Sequence, residues 1–268
     1  MAADAHAHPF DLAGRLPNAE QERRRLGIPC AASAWNGEQF AYQEELARKA
    51  REEGAVPMAL CFALHPQLPA LKDPPFSLNA RPFAPLLDML ETLAVQGRLN
   101  AVGETGFDLY NDVFRATEAV QDELFAAHLE TALRCGLPLV LHVRRAMHKV
   151  FALTGPLKKL PAVVFHSYSG TAAEGEALLR RGVNAYFSFG ASILLNHKTA
   201  IRSSAVLPLD HLLLETDAPY QPLRGREFSR WADLPEILRG LARIRQESAA
   251  ELEAATDRNF FTVFSKPR

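Results

Sequence analysis

Four apolar runs in this chain stop at residues that can bind a metal ion or move a proton, and a fifth strand, the first, alternates such residues. Asp4, His6 and His8 alternate in DAHAH, and on a strand a period of two puts all three on one face. Glu104 closes Leu99–Val102 in AVGETGFDLY, and His142 closes Leu137–Leu141 in LPLVLHVRRA. His166 closes Ala162–Phe165 in PAVVFHSYSG, and Glu215 with Asp217 follow Leu212–Leu214 in LLLETDAPY. A single histidine at a strand end is most often a satisfied core or loop residue, and a single acid a helix cap or solvated loop end. Five such occurrences on separate predicted strands are a poor fit to that ordinary reading. Brought together, the carboxylates would repel one another and lose solvent unless cations lay among them. Mixed nitrogen and oxygen donors suit Zn, Mn, Fe, Ni or Co, and a carboxylate-rich set also accepts Mg. Six potential ligands exceed what a tetrahedral ion uses. The expectation is therefore two divalent metal ions, roughly 3.5–4 Å apart, bridged by a central carboxylate such as Glu104. Such a pair lowers the pKa of a shared water and holds substrate oxygens, with Asp217 the natural acceptor of the water's proton.

Strands at the right places must carry these residues. Short apolar runs predict strands at Met1–His8, Ile28–Ala34, Val56–Leu64, Leu99–Glu104, Pro138–His142, Ala162–His166, Ala185–Phe189 and Leu209–Glu215. Between them the pattern is helical. Leu124, Phe125, Leu129, Ala132 and Leu133 fall on one face, and Gly136 then Pro138 end that helix. Leu234, Ile237, Leu238, Leu241 and Ile244 form another face, with Asp233 and Glu236 spaced as a capping box and Ser248 with Glu251 opening a further helix. Eight strands alternating with helices predict an α/β fold with a parallel sheet, and eight is the number that closes a (β/α)8 TIM-type barrel. We expect one domain over residues 1–268. An open doubly wound sheet is the alternative, although no phosphate-binding glycine loop follows the first strand. The Pro-rich segments Pro66–Pro85 and Asp217–Leu223 read as loops on the barrel rim.

Composition narrows the partners. Thirty Lys and Arg oppose 31 Asp and Glu for a net charge of −1, so any nucleic-acid contact must be local. No apolar run approaches the ~18 residues of a membrane span. MAADAHAHPF lacks the pattern of a secretory signal. Cys30, Cys61 and Cys135 fit neither a disulfide framework nor a zinc site, and a cytoplasmic protein with reduced thiols is expected. No membrane partner and no stable protein partner can be inferred.

The chain resembles the TatD family of metal-dependent deoxyribonucleases, within the amidohydrolase-like barrels. DAHAH, GETGFDLY, LPLVLHVRRA, FHSYSG and LLLETDAPY carry the resemblance, with Arg224–Gly225 and NFFTVF at Asn259–Phe264, in family order along the chain. It implies that His6, His8 and Asp217 bind one ion, that Glu104 binds both, and that His142 and His166 bind the second. It also implies phosphodiester hydrolysis of single-stranded DNA from the 3′ end, with Asp217 and Glu104 catalytic. Some positions differ from the family pattern. Ala63 precedes Leu64–His65–Pro66 where Gly is usual, and His65 remains available to a phosphate. Val120 replaces an Arg, His128 a Gln, and Arg145 an Asp; Ser167 and Tyr168 stand where Cys and Phe are common; the last loop reads PYQPLRG. Arg144 and Arg224 are the candidate phosphate contacts. Arg23–Arg25, Lys158–Lys159 and Arg180–Arg181 read as solvated helix surface, Trp35 and Trp231 as packing residues, and His148, His197 and His211 as structural or surface residues. Hydrolysis of a carboxylic ester, lactone or amide, including an aminoacyl-tRNA ester, is the alternative activity. A metal-stabilised scaffold without catalysis is the third reading.

Overall fold

A computed structural model describes residues 2–71 and 79–265. Met1 of the first predicted strand and positions 72–78 of the Pro66–Pro85 loop lie outside the described residues. Eight parallel strands form one sheet in chain order: β1 Asp4–Ala7, β2 Cys30–Ala34, β3 Met58–Phe62, β4 Ala101–Asp108, β5 Leu139–Arg144, β6 Val163–Phe165, β7 Ala185–Phe189 and β8 Leu212–Leu214. The sheet closes just beyond β8, where Asp217 N–H donates to His6 O at 2.9 Å and His8 N–H to Ala218 O at 2.8 Å. This is the expected (β/α)8 barrel, and the open doubly wound alternative does not hold.

Side-chain size explains the two-layered packing. Outward positions such as Leu60, Phe62, Leu139, Leu141, Phe165, Phe187 and Leu214 are large and buried under the surrounding helices. Inward positions are small on β1–β4 (Ala5, Ala31, Ala59, Cys61, Ala101) and larger on β5–β8 (Val140, Val164, Tyr186, Leu213). The interior is thus filled by alternating strand faces, as a barrel core must be. Phe260, Val263 and Phe264 of the last helix, Ala249–Phe264, join this inner cluster. Asn259 on the same helix donates to Leu209 O and Leu212 O at 2.9 and 2.8 Å, tying the helix to the end of the barrel where strands begin.

The local signals fare unevenly. Gly136 does end Glu118–Cys135 in a left-handed turn, φ 62°, and Ser248 caps the last helix by accepting from Glu251 N–H. Asp233 does not cap Leu234–Arg245 with its side chain; its carboxylate instead accepts from Arg230 N–H at 3.1 Å. β4 runs four residues past Glu104. β8 is shorter than predicted because Leu209–His211 form a 3-10 turn. Arg23 corrects the surface reading most sharply. It is fully buried and donates to the carbonyls of Ile28, Val56 and Pro57, which lie where the chain enters β2 and β3. Among the described residues, no helix is long and apolar enough to cross a membrane.

Candidate metal centre

The C-terminal ends of the strands open into a cavity of about 1020 Å³ lined by His8, Glu104, His142, His166 and Asp217, with the fully buried His6 packed against them. Glu104, from β4, is their hub. Its Oε1 lies 2.8 Å from His166 Nε2, 2.9 Å from His142 Nδ1 and 3.2 Å from His65 Nε2. Its Oε2 lies 3.1 Å from His6 Nε2 and 3.6 Å from His8 Nε2. Asp217 Oδ1 completes the ring, 3.5 Å from His8 Nε2 and 3.7 Å from His6 Nε2. Three overlapping groups thus have donor atoms close enough to share an ion: His6–His8–Asp217, His6–Glu104–His166 and His65–Glu104–His142.

Several of these nitrogens face one another. His6 Nε2 and His8 Nε2 are 3.2 Å apart, His65 Nε2 and His142 Nδ1 3.3 Å, and His166 Nε2 and His142 Nδ1 3.4 Å. A nitrogen without a proton can only accept, so facing lone pairs need a proton or a cation between them. The donor set therefore fits divalent cations. In the protein alone protons take that place. Burial disfavours the charged forms, yet Glu104 is held well below the usual carboxylate range by His166, His65 and His6, and His166 is raised well above its ordinary value by Glu104 and Glu215. Cation binding would displace such protons.

The strands reach this geometry through irregularities that strict alternation does not foresee. Register shifts on β1 between Asp4 and Ala7. Asp4 consequently does not join His6 and His8 at the cluster; its carboxylate is buried against Thr216, accepting from Thr216 N–H at 3.0 Å and from its hydroxyl at 2.6 Å. Register also shifts on β4 between Val102 and Thr105. At Gly106, φ is 134° and an added Cβ would stand 2.1 Å from His142 O, so only glycine lets β4 approach β5 here. Asp217 has φ 51°, a left-handed conformation that aspartate tolerates better than most residues. Gln221 Nε2 donates to Asp217 Oδ2 at 2.9 Å and also bonds Ser167 Oγ. Glu215 lies just outside the ring of donors, accepting from Ser167 N–H and O–H at 2.8 and 2.7 Å.

Asp108 is a residue that the sequence reading left unassigned. It is fully buried, and its Oδ2 lies 3.0 Å from His142 Nε2 and 2.7 Å from Gln67 Nε2. Holding Nε2 turns His142 Nδ1 toward Glu104, the usual way a carboxylate orients a metal-binding imidazole. Its place four residues after Glu104 was the available signal.

Other predicted contacts divide. Arg144 lines the cavity, 3.4 Å from Asp108 Oδ2. Arg224 is exposed and is not among the residues lining the cavity, because the last loop carries it outward past Leu223. His197, read as remote, lines the mouth, whereas His211 bonds the Ala185 carbonyl at 2.8 Å and His148 is exposed. Trp231 is buried, and Trp35 packs beside the Leu64–Phe83 cluster while also lining the cavity.

Comparison with known proteins agrees with this arrangement. The family model for TatD-related DNases matches residues 3–265. The "3'-5' ssDNA/RNA exonuclease TatD" of Cronobacter sakazakii is 36% identical over 189 residues, 66% of this chain and 69% of that one. The Escherichia coli protein of the same name is 36% identical over 182 residues, 64% and 68% of the two chains. Among solved structures, the TatD homologue YJJV from Escherichia coli superposes with a TM-score of 0.82 at 28% identity, covering 99% of this chain and 98% of its own. A TatD-family hydrolase from Entamoeba histolytica, 16% identical, shares the fold with a TM-score of 0.75 over 98% of each chain. With the family model spanning nearly every residue and the fold shared end to end, the chain belongs to the TatD-related DNase family of metal-dependent hydrolases.

Proposed function

We propose that this protein hydrolyses phosphodiester bonds of single-stranded DNA from the 3′ end, using two divalent ions. The observation that carries the proposal is the convergence of four imidazoles and two carboxylates, His6, His8, His142, His166, Glu104 and Asp217, all but the buried His6 lining an open cavity. His6, His8 and Asp217 would hold one ion, His142 and His166 the other, and Glu104 both. When bound, such a pair polarises phosphoryl oxygens and makes water a better nucleophile at neutral pH. The curated relatives carry exonuclease names that include single-stranded DNA and RNA, which supports a nucleic-acid substrate.

The chain's own residues supply the rest. Asp217 Oδ1 faces the cluster while Oδ2 is held by Gln221, so Oδ1 is placed to take a proton from the attacking water. The water oxygen then bonds phosphorus as the bond to the leaving oxygen breaks, and Asp217 returns the proton it took to that oxygen. His65 has the most exposed side chain of its group, 21% against 10% for His142 and 5% for Glu104, and is assigned to a phosphate oxygen on the mouth side, with Arg144.

The test is a short single strand labelled at its 5′ end, incubated with protein loaded with Mg, Mn, Zn, Co or Ni. A ladder shortening from the 3′ end is expected, abolished by chelation and slowed roughly 10²–10⁴-fold by Asp217→Asn, the range for loss of a positioned proton acceptor. No cleavage with any metal, each shown to be bound, sinks the DNA reading and turns attention to carboxylic esters and amides.

A further inference from the structure

Beside the ligand cluster, the ends of β4 and β5 present an arginine–tyrosine–arginine group, of which the hydrolytic step uses Arg144 alone. Tyr110 is 45% exposed at the cavity edge. The guanidinium carbons of Arg144 and Arg145 lie 4.0 and 4.6 Å from its ring centroid. Two like charges are thus gathered on one exposed ring. Arg144 is 3.4 Å from Asp108 Oδ2, but that carboxylate is buried and also holds His142 and Gln67. Among the described residues, Arg145 has no carboxylate within ion-pair distance; its Nη1 donates to the Tyr110 carbonyl at 2.9 Å. Arg145 therefore brings an uncompensated positive charge to the rim, beside Arg144, which is joined through Asp108 to His142.

The backbone makes this harder to dismiss. Arg145 has φ 54°, in the left-handed region where aspartate and asparagine are at home and arginine is strained. Strain of this kind persists where something holds the residue in place, and it clusters at functional sites. Here the carbonyl of Tyr110 and the ring hold it. A guanidinium lying over a tyrosine ring also presents flat surface of the kind on which bases stack.

We infer that Arg145 and Tyr110, with Arg144, form a seat for the nucleotide next to the cleaved bond, Arg145 binding its phosphate and the Arg–Tyr surface its base. The inference rests on the nucleic-acid reading above and deepens it: the preferred substrate is a strand of at least two nucleotides rather than an isolated phosphodiester. Arg145 is then a specificity-determining residue.

The experiment compares metal-loaded wild type, Arg145→Asn, Arg145→Lys and Tyr110→Leu on a labelled oligothymidylate and on bis(p-nitrophenyl) phosphate, which has no neighbouring nucleotide. Asparagine suits the left-handed backbone at 145, and thermal melts check that each variant is folded. Expected is a roughly 10-fold fall in kcat/KM on the oligonucleotide for Arg145→Asn and Tyr110→Leu. The fall on the small diester should be at least fivefold less. The salt dependence of oligonucleotide affinity should flatten by about 0.7 in log–log slope for Arg145→Asn, one phosphate's worth on a single strand, and stay near wild type for Arg145→Lys. Equal changes on both substrates, or none on the oligonucleotide, overturn the seat while leaving the nuclease intact. A wild type that cleaves the small diester but not the oligonucleotide overturns both readings together.

Discussion

His128 lies on the helix Glu118–Cys135 with no exposed surface, and both its ring nitrogens are engaged. Leu64 N–H donates to Nε2 at 3.3 Å, so Nδ1 carries the proton and donates to Thr105 Oγ1 at 2.6 Å. Burial pushes its pKa from 6.5 down to about 3. A histidine whose folded pKa lies below its unfolded value favours the folded state fully above pH 6.5. That contribution is lost as pH falls toward 3, because the unfolded chain takes up the proton first. The slope is about 1.4 kcal/mol per pH unit in this window. His128→Gln keeps an acceptor and a donor without titrating. Urea midpoints between pH 6 and 4 should fall less steeply for the variant than for wild type, and parallel slopes would remove His128 as a cause. At this scale the sequence was readable where a residue's type was informative by itself. His142 and His166 end apolar runs, and His6 alternates with His8 along the first strand. Arg23 was not readable, because three consecutive arginines look solvated whichever way one of them turns.

Elements were legible in order and number, less so in their ends. Apolar runs mark strands because each must bury an outward face, and that signal located all eight. β4 was cut short in the reading because the apolar run stops at Glu104, whereas the strand continues through Gly106 to Asp108. The continuation brings Asp108 to His142 and Tyr110 to the rim, so the unread residues carried the supporting contacts of the site. Gly106→Ala tests how tightly this pairing is fixed. Its Cβ would meet backbone, not a side chain that can swing away, and β5 would have to retreat. A loss of roughly 3 kcal/mol or more in urea unfolding is expected, in the range of severe core strain, with weakened metal affinity because His142 sits on the displaced strand. A variant as stable as wild type would show that β4 and β5 can part without cost.

Across the whole molecule, the cluster gathers donors from β1, β4, β5, β6 and the segment after β8. A cation there can be bound in full only by the folded chain. Zn or Mn at about a hundredfold over its dissociation constant should therefore stabilise the protein by roughly 2.7 kcal/mol. That corresponds to a rise in Tm of roughly 5–10 °C, reversed by chelation and read by calorimetry. An unchanged Tm with metal shown bound would mean that unfolded chain binds it equally well. The closure of the barrel adds a consequence for biosynthesis. Hydrogen bonds join His6 and His8 to Asp217 and Ala218, and the last helix supplies Phe260, Val263 and Phe264 to the interior. While a ribosome is still making this chain, its first histidines have no partner across the seam. Nascent protein cannot assemble the cutting centre before β8 and Asp217 have emerged, nor fill the barrel's interior before the final helix follows. A growing polypeptide is thereby kept from acting on the nucleic acid around it until β8 and the helix Ala249–Phe264 have been made.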